Sequence, residues 1–161
     1  MIIEAIHLRA RARTYEGEES PALLELAPEG VIQAAGPVRY QFKAQLITGE
    51  IIVQGTLAVE CACVCVRCME PFERRVRVPE FFRAIPSSGE NQLIDLTDDI
   101  REDMLLALPV NPVCSDMCKG LCVRCGVNLN RTPCVCGVQT TGSTWTALDQ
   151  WQKIRDDSGG G

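Results

Sequence analysis

Residues 38–64 read VRYQFKAQLITGEIIVQGTLAVECACV, and two alternating runs within this stretch decide how the chain folds. In the first run every second residue is apolar, namely Val38, Tyr40, Phe42, Ala44 and Leu46. The second run repeats the pattern with Ile51, Val53, Leu57, Val59, Cys61 and Cys63. A period of two residues predicts a strand with one buried face, and Gly49-Glu50 supplies a turn between the runs. The stretch therefore predicts a β-hairpin.

Strand patterns also flank this hairpin. Residues 72–82 predict a third strand, so that an antiparallel meander results. Residues 3–13 predict another strand, and we interpret one of its faces as solvated rather than phosphate-binding although it carries Arg9, Arg11 and Arg13. Residues 16–30 are acidic and contain proline and glycine, which predicts a surface loop with a short strand or turn.

A helix is predicted to follow the sheet. Asp95 or Thr97 can cap it, and two aspartates in the first turn favour the helix dipole. Its apolar stripe has helical spacing and consists of Ile100, Met104, Leu105 and Leu108. Pro109 ends the helix, and the stripe is expected to cover one face of the sheet. The fold class is therefore α+β, an antiparallel sheet packed by a helix within residues 1–110.

Residues 111–137 differ in composition, because Cys, Gly, Pro and Asn dominate and large apolar side chains are few. Such a segment cannot bury enough surface to order itself, so a metal or a covering element is expected to hold it within the same domain. Ser143 can cap a short final helix over residues 143–155, and residues 156–161 are expected to be disordered.

Ten cysteines need a chemical explanation. The chain shows no secretory signal pattern and no apolar run of roughly 20 residues, so we expect a cytoplasmic protein in which thiols stay reduced. Cys61 and Cys63 follow the alternation of their strand and are interpreted as small buried hydrophobes. The other eight form four close pairs, which are candidate metal ligands: Cys65 and Cys68, Cys114 and Cys118, Cys122 and Cys125, Cys134 and Cys136.

A Cys-x2-Cys pair lets two thiolates meet one tetrahedral ion, and four pairs supply two four-thiolate zinc sites. In the preferred partition, Cys122, Cys125, Cys134 and Cys136 form a local site with a zinc-knuckle turn. The first two pairs then form a second site that ties the sheet to the C-terminal segment. Three alternatives stay open: a partition that moves Cys118 to the knuckle, a single metal site instead of two, and iron instead of zinc.

A catalytic role is not expected. A catalytic zinc ion needs an open coordination position and a nearby base, whereas these sets of four thiolates are closed. A redox Cys-x2-Cys pair would open a helix, whereas Cys65 ends a predicted strand and Pro71 follows it. A thiol redox or metal-handling protein nevertheless remains the alternative hypothesis.

The formal net charge is −5, which disfavours a protein held broadly to RNA phosphates. Contact with RNA would then be local, and the candidates near the cysteines are Arg67, Arg74, Arg75, Arg77, Asn128 and Asn130. The other possibility is a basic protein partner bound by acidic residues, for which segments 16–19 and 98–103 are candidates. Mere solvation of these charges is the simpler interpretation.

Three blocks of sequence resemble the YceD family of bacterial large ribosomal RNA subunit accumulation proteins, which has plastid relatives. The blocks are Cys65-Val-Arg-Cys68-Met-Glu-Pro-Phe72, the stretch from Ile94 to Pro109 that contains Asp103-Met-Leu-Leu-Ala-Leu-Pro109, and Cys114-x3-Cys118-Lys-Gly-Leu-Cys-Val-Arg-Cys-Gly-Val-Asn-Leu-Asn130. The resemblance as a whole covers roughly residues 37–155, and Val123 departs from the usual proline. The resemblance implies a non-catalytic ribosome biogenesis factor that supports accumulation of 23S ribosomal RNA and 50S assembly. Ribosomal RNA or a basic large-subunit ribosomal protein would be its partner.

Overall fold

The computed structural model describes residues 1–8, 11–89 and 92–136, which form two antiparallel sheets and one α-helix. The strands are β1 (Ile2–Glu4), β2 (Arg13–Glu19), β3 (Ile32–Ala34), β4 (Val38–Ile47), β5 (Glu50–Val64), β6 (Pro71–Pro86) and β7 (Leu93–Asp95). The helix α1 spans Thr97–Ala107, and short 3-10 helices span Ala5–Leu8 and Pro21–Leu24. The α+β class with a mainly antiparallel sheet is therefore confirmed.

The predicted hairpin is the centre of the larger sheet. Strands β4 and β5 pair from Ile47 with Glu50 to Arg39 with Ala58, and Thr48 and Gly49 form the two-residue turn. Strand β5 pairs with β6 along its other edge, which confirms the meander. Strand β3 pairs with the last part of β5, past the residues that pair with β4. Strand β2 pairs with the outer edge of β4.

The core lies on one face of this sheet. The apolar row of β5 predicted from the alternation is buried, including Cys61 and Cys63. Helix α1 packs Ile100 and Met104 into the same core, and the small β1–β7 sheet contributes Ile3 and Ile94. The apolar stripe of the helix thus covers the sheet as predicted.

Arg83 on β6 fixes the helix to the sheet through two carboxylates of α1. Its Nε lies 2.5 Å from Asp99 Oδ1, and its Nη2 lies 2.9 Å from Asp103 Oδ1. The guanidinium also lies over the Phe81 ring, 4.9 Å from the centroid. Because all three charged side chains are at most one-third exposed, solvent screens these pairs less than surface pairs.

The prediction of one strand over residues 3–13 was wrong. Ile3, Ala5 and Leu8 are buried, a spacing that suits a turn of 3-10 helix rather than a continuous strand. Arg11 is exposed and Arg13 begins a different strand, while Arg9 lies outside the described residues. The proposed face of three arginines is therefore not formed within one strand.

The acidic segment 16–30 is more regular than predicted. Its first part belongs to β2, a seven-residue strand in which Glu16 and Glu18 accept hydrogen bonds from side chains of β4. Arg39 Nε donates to Glu18 Oε1 at 2.9 Å, and Gln41 Nε2 donates to Glu16 Oε1 at 2.7 Å. Such cross-strand pairs stabilise a strand whose composition alone predicts a loop.

The start of α1 also differs in detail from the sequence prediction. Leu96 occupies the N-cap position, and no side chain caps the helix there. Asp95 instead accepts hydrogen bonds from the Thr97 backbone N–H and hydroxyl, which forms the turn before the helix. The helix predicted over 143–155 and the tail 156–161 lie outside the described residues. Within the part that is described, no helix is long and apolar enough to cross a membrane.

Candidate metal centre

The first cysteine pair lies on the turn between β5 and β6. The Cys65 N–H donates to the Glu70 carbonyl at 2.9 Å, and the Met69 N–H donates to the Cys65 carbonyl at 2.9 Å. Met69 adopts a positive φ of 59°, which closes this turn directly after Cys68. The sheet hairpin therefore positions Cys65 and Cys68 through its own backbone bonds.

The second pair reaches the first from beyond α1. The Val66 N–H donates to the Pro112 carbonyl at 3.0 Å, which brings residues 112–118 alongside the first turn. Arg67 Nη1 donates to the carbonyls of Asp116 and Cys118, both at 3.3 Å. Arg67 therefore holds the second pair in place, and this use of its guanidinium differs from the RNA contact considered above.

Four sulfur atoms gather at this junction in what we call the first group: Cys65, Cys68, Cys114 and Cys118. All of their sulfurs lie within 4.8 Å of one another. The Sγ–Sγ distance is 3.8 Å from Cys65 to Cys118 and 3.7 Å from Cys68 to Cys114. Three of the four residues are buried, and only Cys114 is exposed.

The remaining sulfurs form a second group on one loop: Cys122, Cys125, Cys134 and Cys136. Their sulfurs also lie within 4.8 Å of one another, with 3.3 Å from Cys134 to Cys122 and 3.7 Å from Cys125 to Cys134. Gly126 follows Cys125 with a φ of 73°. Arg124 Nη1 donates to the Cys136 carbonyl at 3.2 Å, as Arg67 does to carbonyls near the first group.

The surroundings of both groups favour some thiolates and disfavour others. Burial opposes ionisation of Cys65, but backbone N–H groups of Cys114, Cys68 and Arg67 outweigh it and lower the pKa to about 6. Backbone N–H groups of Cys125 and Arg124 lower the pKa of Cys122 to about 6.

Two thiols of each group have the opposite shift: the pKa is raised for Cys68 and Cys114 in the first group and for Cys134 and Cys136 in the second. Desolvation of the Cys114 sulfur and the neighbouring sulfurs raise its pKa to about 12, although the residue as a whole is exposed. The sulfurs of Cys134 and Cys125, with burial, raise the pKa of Cys136 to about 12. Four adjacent sulfurs therefore cannot all ionise unless a cation offsets their mutual repulsion.

This donor set fits a tetrahedral metal ion. A Zn–S distance of about 2.3 Å gives a tetrahedron whose sulfur atoms are about 3.8 Å apart, close to most of the separations observed. Disulfide sulfurs would instead be about 2.05 Å apart. Backbone N–H groups that point at sulfur are the outer contacts that thiolate sites use. Two clusters of four cysteines can thus bind metal, and thiolates suit zinc or iron.

The two cysteines outside the groups have a different environment. Cys61 and Cys63 lie in the apolar core, apart from both sulfur clusters. Burial is the main reason that the pKa of Cys61 rises to about 11. Their interpretation as small core residues is confirmed by this position.

Asn128 and Asn130 hold the second loop against the first group rather than facing solvent as free donors. Asn130 Nδ2 donates to Cys118 Sγ at 3.3 Å, and Asn130 Oδ1 accepts the Lys119 N–H at 2.8 Å. Asn128 Nδ2 donates to Glu70 Oε1 at 3.2 Å. Sequence reasoning considered both residues as RNA contacts and missed this role, which only the folded arrangement shows.

Other candidate contacts are also engaged within the protein. Asp99 and Asp103 pair with Arg83, and Arg75 pairs with Glu60 at 3.3 Å. Arg74 and Arg77 are exposed and form no ion pair with the described residues. Several of the charges considered for a partner are therefore engaged within the protein, whereas Arg74 and Arg77 remain accessible to one.

Comparison with known proteins shows that the region containing these cysteines matches a known family. The model described as "Large ribosomal RNA subunit accumulation protein YceD" matches residues 53–151, which is more than half of the chain. The chain belongs to the YceD family. The match includes the helix and all eight clustered cysteines, so both groups are part of the YceD region.

Curated relatives include an uncharacterized protein and a protein that carries the family's name. An uncharacterized protein of Mycobacterium tuberculosis is 31% identical over 129 residues, which cover 71% of this chain and 61% of the relative. A chloroplastic protein of Arabidopsis thaliana named "Large ribosomal RNA subunit accumulation protein YCED homolog 1" is 41% identical over 44 residues, 27% of this chain and 14% of that protein. The alignment thus spans about three-fifths of the mycobacterial relative's length. No solved structure matches the chain.

Proposed function

We propose that this YceD-family chain is a non-catalytic ribosome biogenesis factor that supports accumulation of 23S ribosomal RNA and assembly of the 50S subunit. The observation that carries the proposal is the match over residues 53–151 to a model named for large ribosomal RNA subunit accumulation. The matched region contains both cysteine groups. The plant relatives bear the same description in their names, which supports the same role here.

In this proposal the eight clustered cysteines hold two structural zinc ions. Each ion would bind four thiolates and leave no coordination position for a substrate, which is the arrangement of structural rather than catalytic zinc. The first group would join the β5–β6 turn to the segment after α1, and the second would close the loop over residues 122–136. The metal then stabilises a surface and performs no chemistry.

The favoured partner is a basic ribosomal protein rather than RNA. The chain has a formal charge of −5 with neutral thiols, and eight thiolates outweigh the charge of two divalent ions, so metal would make it more acidic. Basic partners are attracted by such a charge, whereas RNA phosphates are repelled. Direct RNA binding is the competing outcome, and crosslinking in cells distinguishes the two partners.

The thiol redox alternative is less well supported by the geometry. A redox pair needs one attacking and one resolving thiol in an accessible place, often at a helix N-terminus. Here each sulfur has three close sulfur neighbours, and Cys65-x2-Cys68 lies on a turn between two strands. A metal-free protein that oxidises readily would reverse this preference.

Gene deletion and complementation test the proposal. A strain that lacks the gene is expected to show a lower ratio of 23S to 16S ribosomal RNA and fewer 50S particles in a sucrose gradient. The intact gene should restore both, whereas Cys65→Ser combined with Cys122→Ser should not. Unchanged subunit profiles in the deletion strain would contradict the proposed role.

A further inference from the structure

Asn130 belongs to the second cysteine loop by sequence but contacts the first group in space. It lies between Cys125 and Cys134, yet its Nδ2 donates to Cys118 Sγ at 3.3 Å. Its Oδ1 accepts the Lys119 N–H at 2.8 Å, which fixes the orientation of the amide. The Asn130 side chain therefore lies on the loop that forms the second group and contacts a sulfur atom of the first group.

Further contacts of the second loop end close to the same place. The Leu129 N–H donates to the Gly120 carbonyl at 2.9 Å, and the Leu121 N–H donates to the Arg67 carbonyl at 3.0 Å. Arg131 Nη2 lies 2.8 Å from Glu70 Oε2. These bonds all end on residues that flank Cys68 or Cys118, so the second loop is docked on the first group.

The two groups differ in how much of their shape is built without metal. Two ligands of the first group lie on the β5–β6 turn, and three of its four cysteines are buried. The second group lies on a single loop, and its four cysteines are partly or largely exposed. Ordering such a loop costs conformational entropy unless something holds it.

We infer that the two cysteine groups are coupled metal sites, in which Asn130 is the positioning residue. The inference rests on the proposed metal binding. A metal ion in the first group fixes the Cys118 thiolate, which then accepts the Asn130 N–H as a charge-assisted hydrogen bond. That bond orders the loop and strengthens metal binding by the second group, and linkage makes the effect reciprocal.

Metal titrations with one group disabled test the coupling. Co²⁺ is the probe, because its visible absorption reports tetrahedral thiolate binding and native mass spectrometry counts the ions. In Cys65→Ser/Cys68→Ser protein, the second group should bind Co²⁺ about tenfold or more weakly than in the intact chain. Cys134→Ser/Cys136→Ser should weaken the first group by a similar factor.

Asn130→Ala provides the direct test, because it keeps all eight thiols. It should weaken Co²⁺ binding by the second group about tenfold. Asn111→Ala is the matched control and should leave both affinities unchanged, because Asn111 is exposed and its side chain forms no hydrogen bond with the described residues. The coupling alone would be overturned if the remaining group in each double-serine variant, and both groups in Asn130→Ala, bound Co²⁺ with the wild-type affinity. A wild-type chain that binds no metal would overturn the proposed zinc sites as well.

Discussion

Met69 and Gly126 occupy the same position in the two Cys-x2-Cys turns, each directly after the second cysteine, and both have positive φ angles of 59° and 73°. A residue with a side chain is strained in this region, whereas glycine is not. The first turn therefore retains a strained methionine, while the second turn has the residue that its backbone favours.

Substitutions at these two positions should have different effects on metal binding. Gly126→Ala should weaken metal binding by the second group by roughly 1 kcal/mol, about fivefold, because its new Cβ meets no atom and only φ is strained. Met69→Gly should leave binding by the first group unchanged or strengthen it by a similar factor. Chelator competition measures both. A weaker first group in Met69→Gly would show that the methionine side chain makes contacts that matter more than its φ.

Arg83→Gln should lower the free energy of unfolding by about 1–2 kcal/mol, because Asp99 and Asp103 would lose their charged hydrogen-bond donor. Urea unfolding followed by far-ultraviolet circular dichroism measures the change. Arg77→Gln is the matched control on the same strand, and its effect should stay within about 0.5 kcal/mol. Equal effects of the two variants would mean that the ion pairs contribute little to the attachment of α1.

Cys122→Ser should disorder the second loop and leave the sheet intact. Backbone amide shifts should change within residues 119–136 and remain unchanged in β4 and in the first part of β5. Cys65→Ser should extend the changes into the end of β5 and the start of β6, because Cys65 follows β5 directly. NMR spectra of the zinc-loaded variants provide the comparison. If Cys122→Ser hardly moves the loop resonances, the second group is not structural.

Alkylation after metal removal should separate the ten thiols into two classes. Cys122 should react early with iodoacetamide, because its backbone donors lower its pKa to about 6. Cys61 should stay unmodified while the sheet is folded, since it is buried and its pKa is raised to about 11. Peptide mass spectrometry identifies the modified sites. Early modification of Cys61 would indicate that the sheet itself opens when metal is lost.

The sequence predicts the hairpin well because its alternation is long and its turn is marked, whereas short or acidic strands carry no such signal. The sequence predicts a surface loop with only a short strand or turn where β2 begins the segment, because Glu16 and Glu18 resemble loop residues until Gln41 and Arg39 lie opposite them. The 3-10 helix at Ala5–Leu8 was missed because its buried residues also fit part of a strand pattern.

The candidate site likewise has a part that could be predicted from the sequence and a part that could not. Spacing indicated which residues could bind metal, since Cys-x2-Cys pairs carry their own local geometry. Spacing could not indicate that Asn130 would reach Cys118 or that Arg67 would turn to the carbonyl of Cys118, because these contacts depend on how two loops pack. The repeated Cys-Val-Arg-Cys was the available signal that the two arginines have equivalent roles.

The buried face of β5 restricts the number of residues that the end of this strand can contain. Cys65 follows Val59, Cys61 and Cys63 at alternate positions and is itself buried, so the sheet core and the first cysteine group share one phase. One inserted residue would reverse that phase and turn either the core row or the cysteine outward. Two inserted residues would restore the phase but move Cys65 by about 7 Å. This part of the strand should therefore tolerate substitution far better than any change in its number of residues.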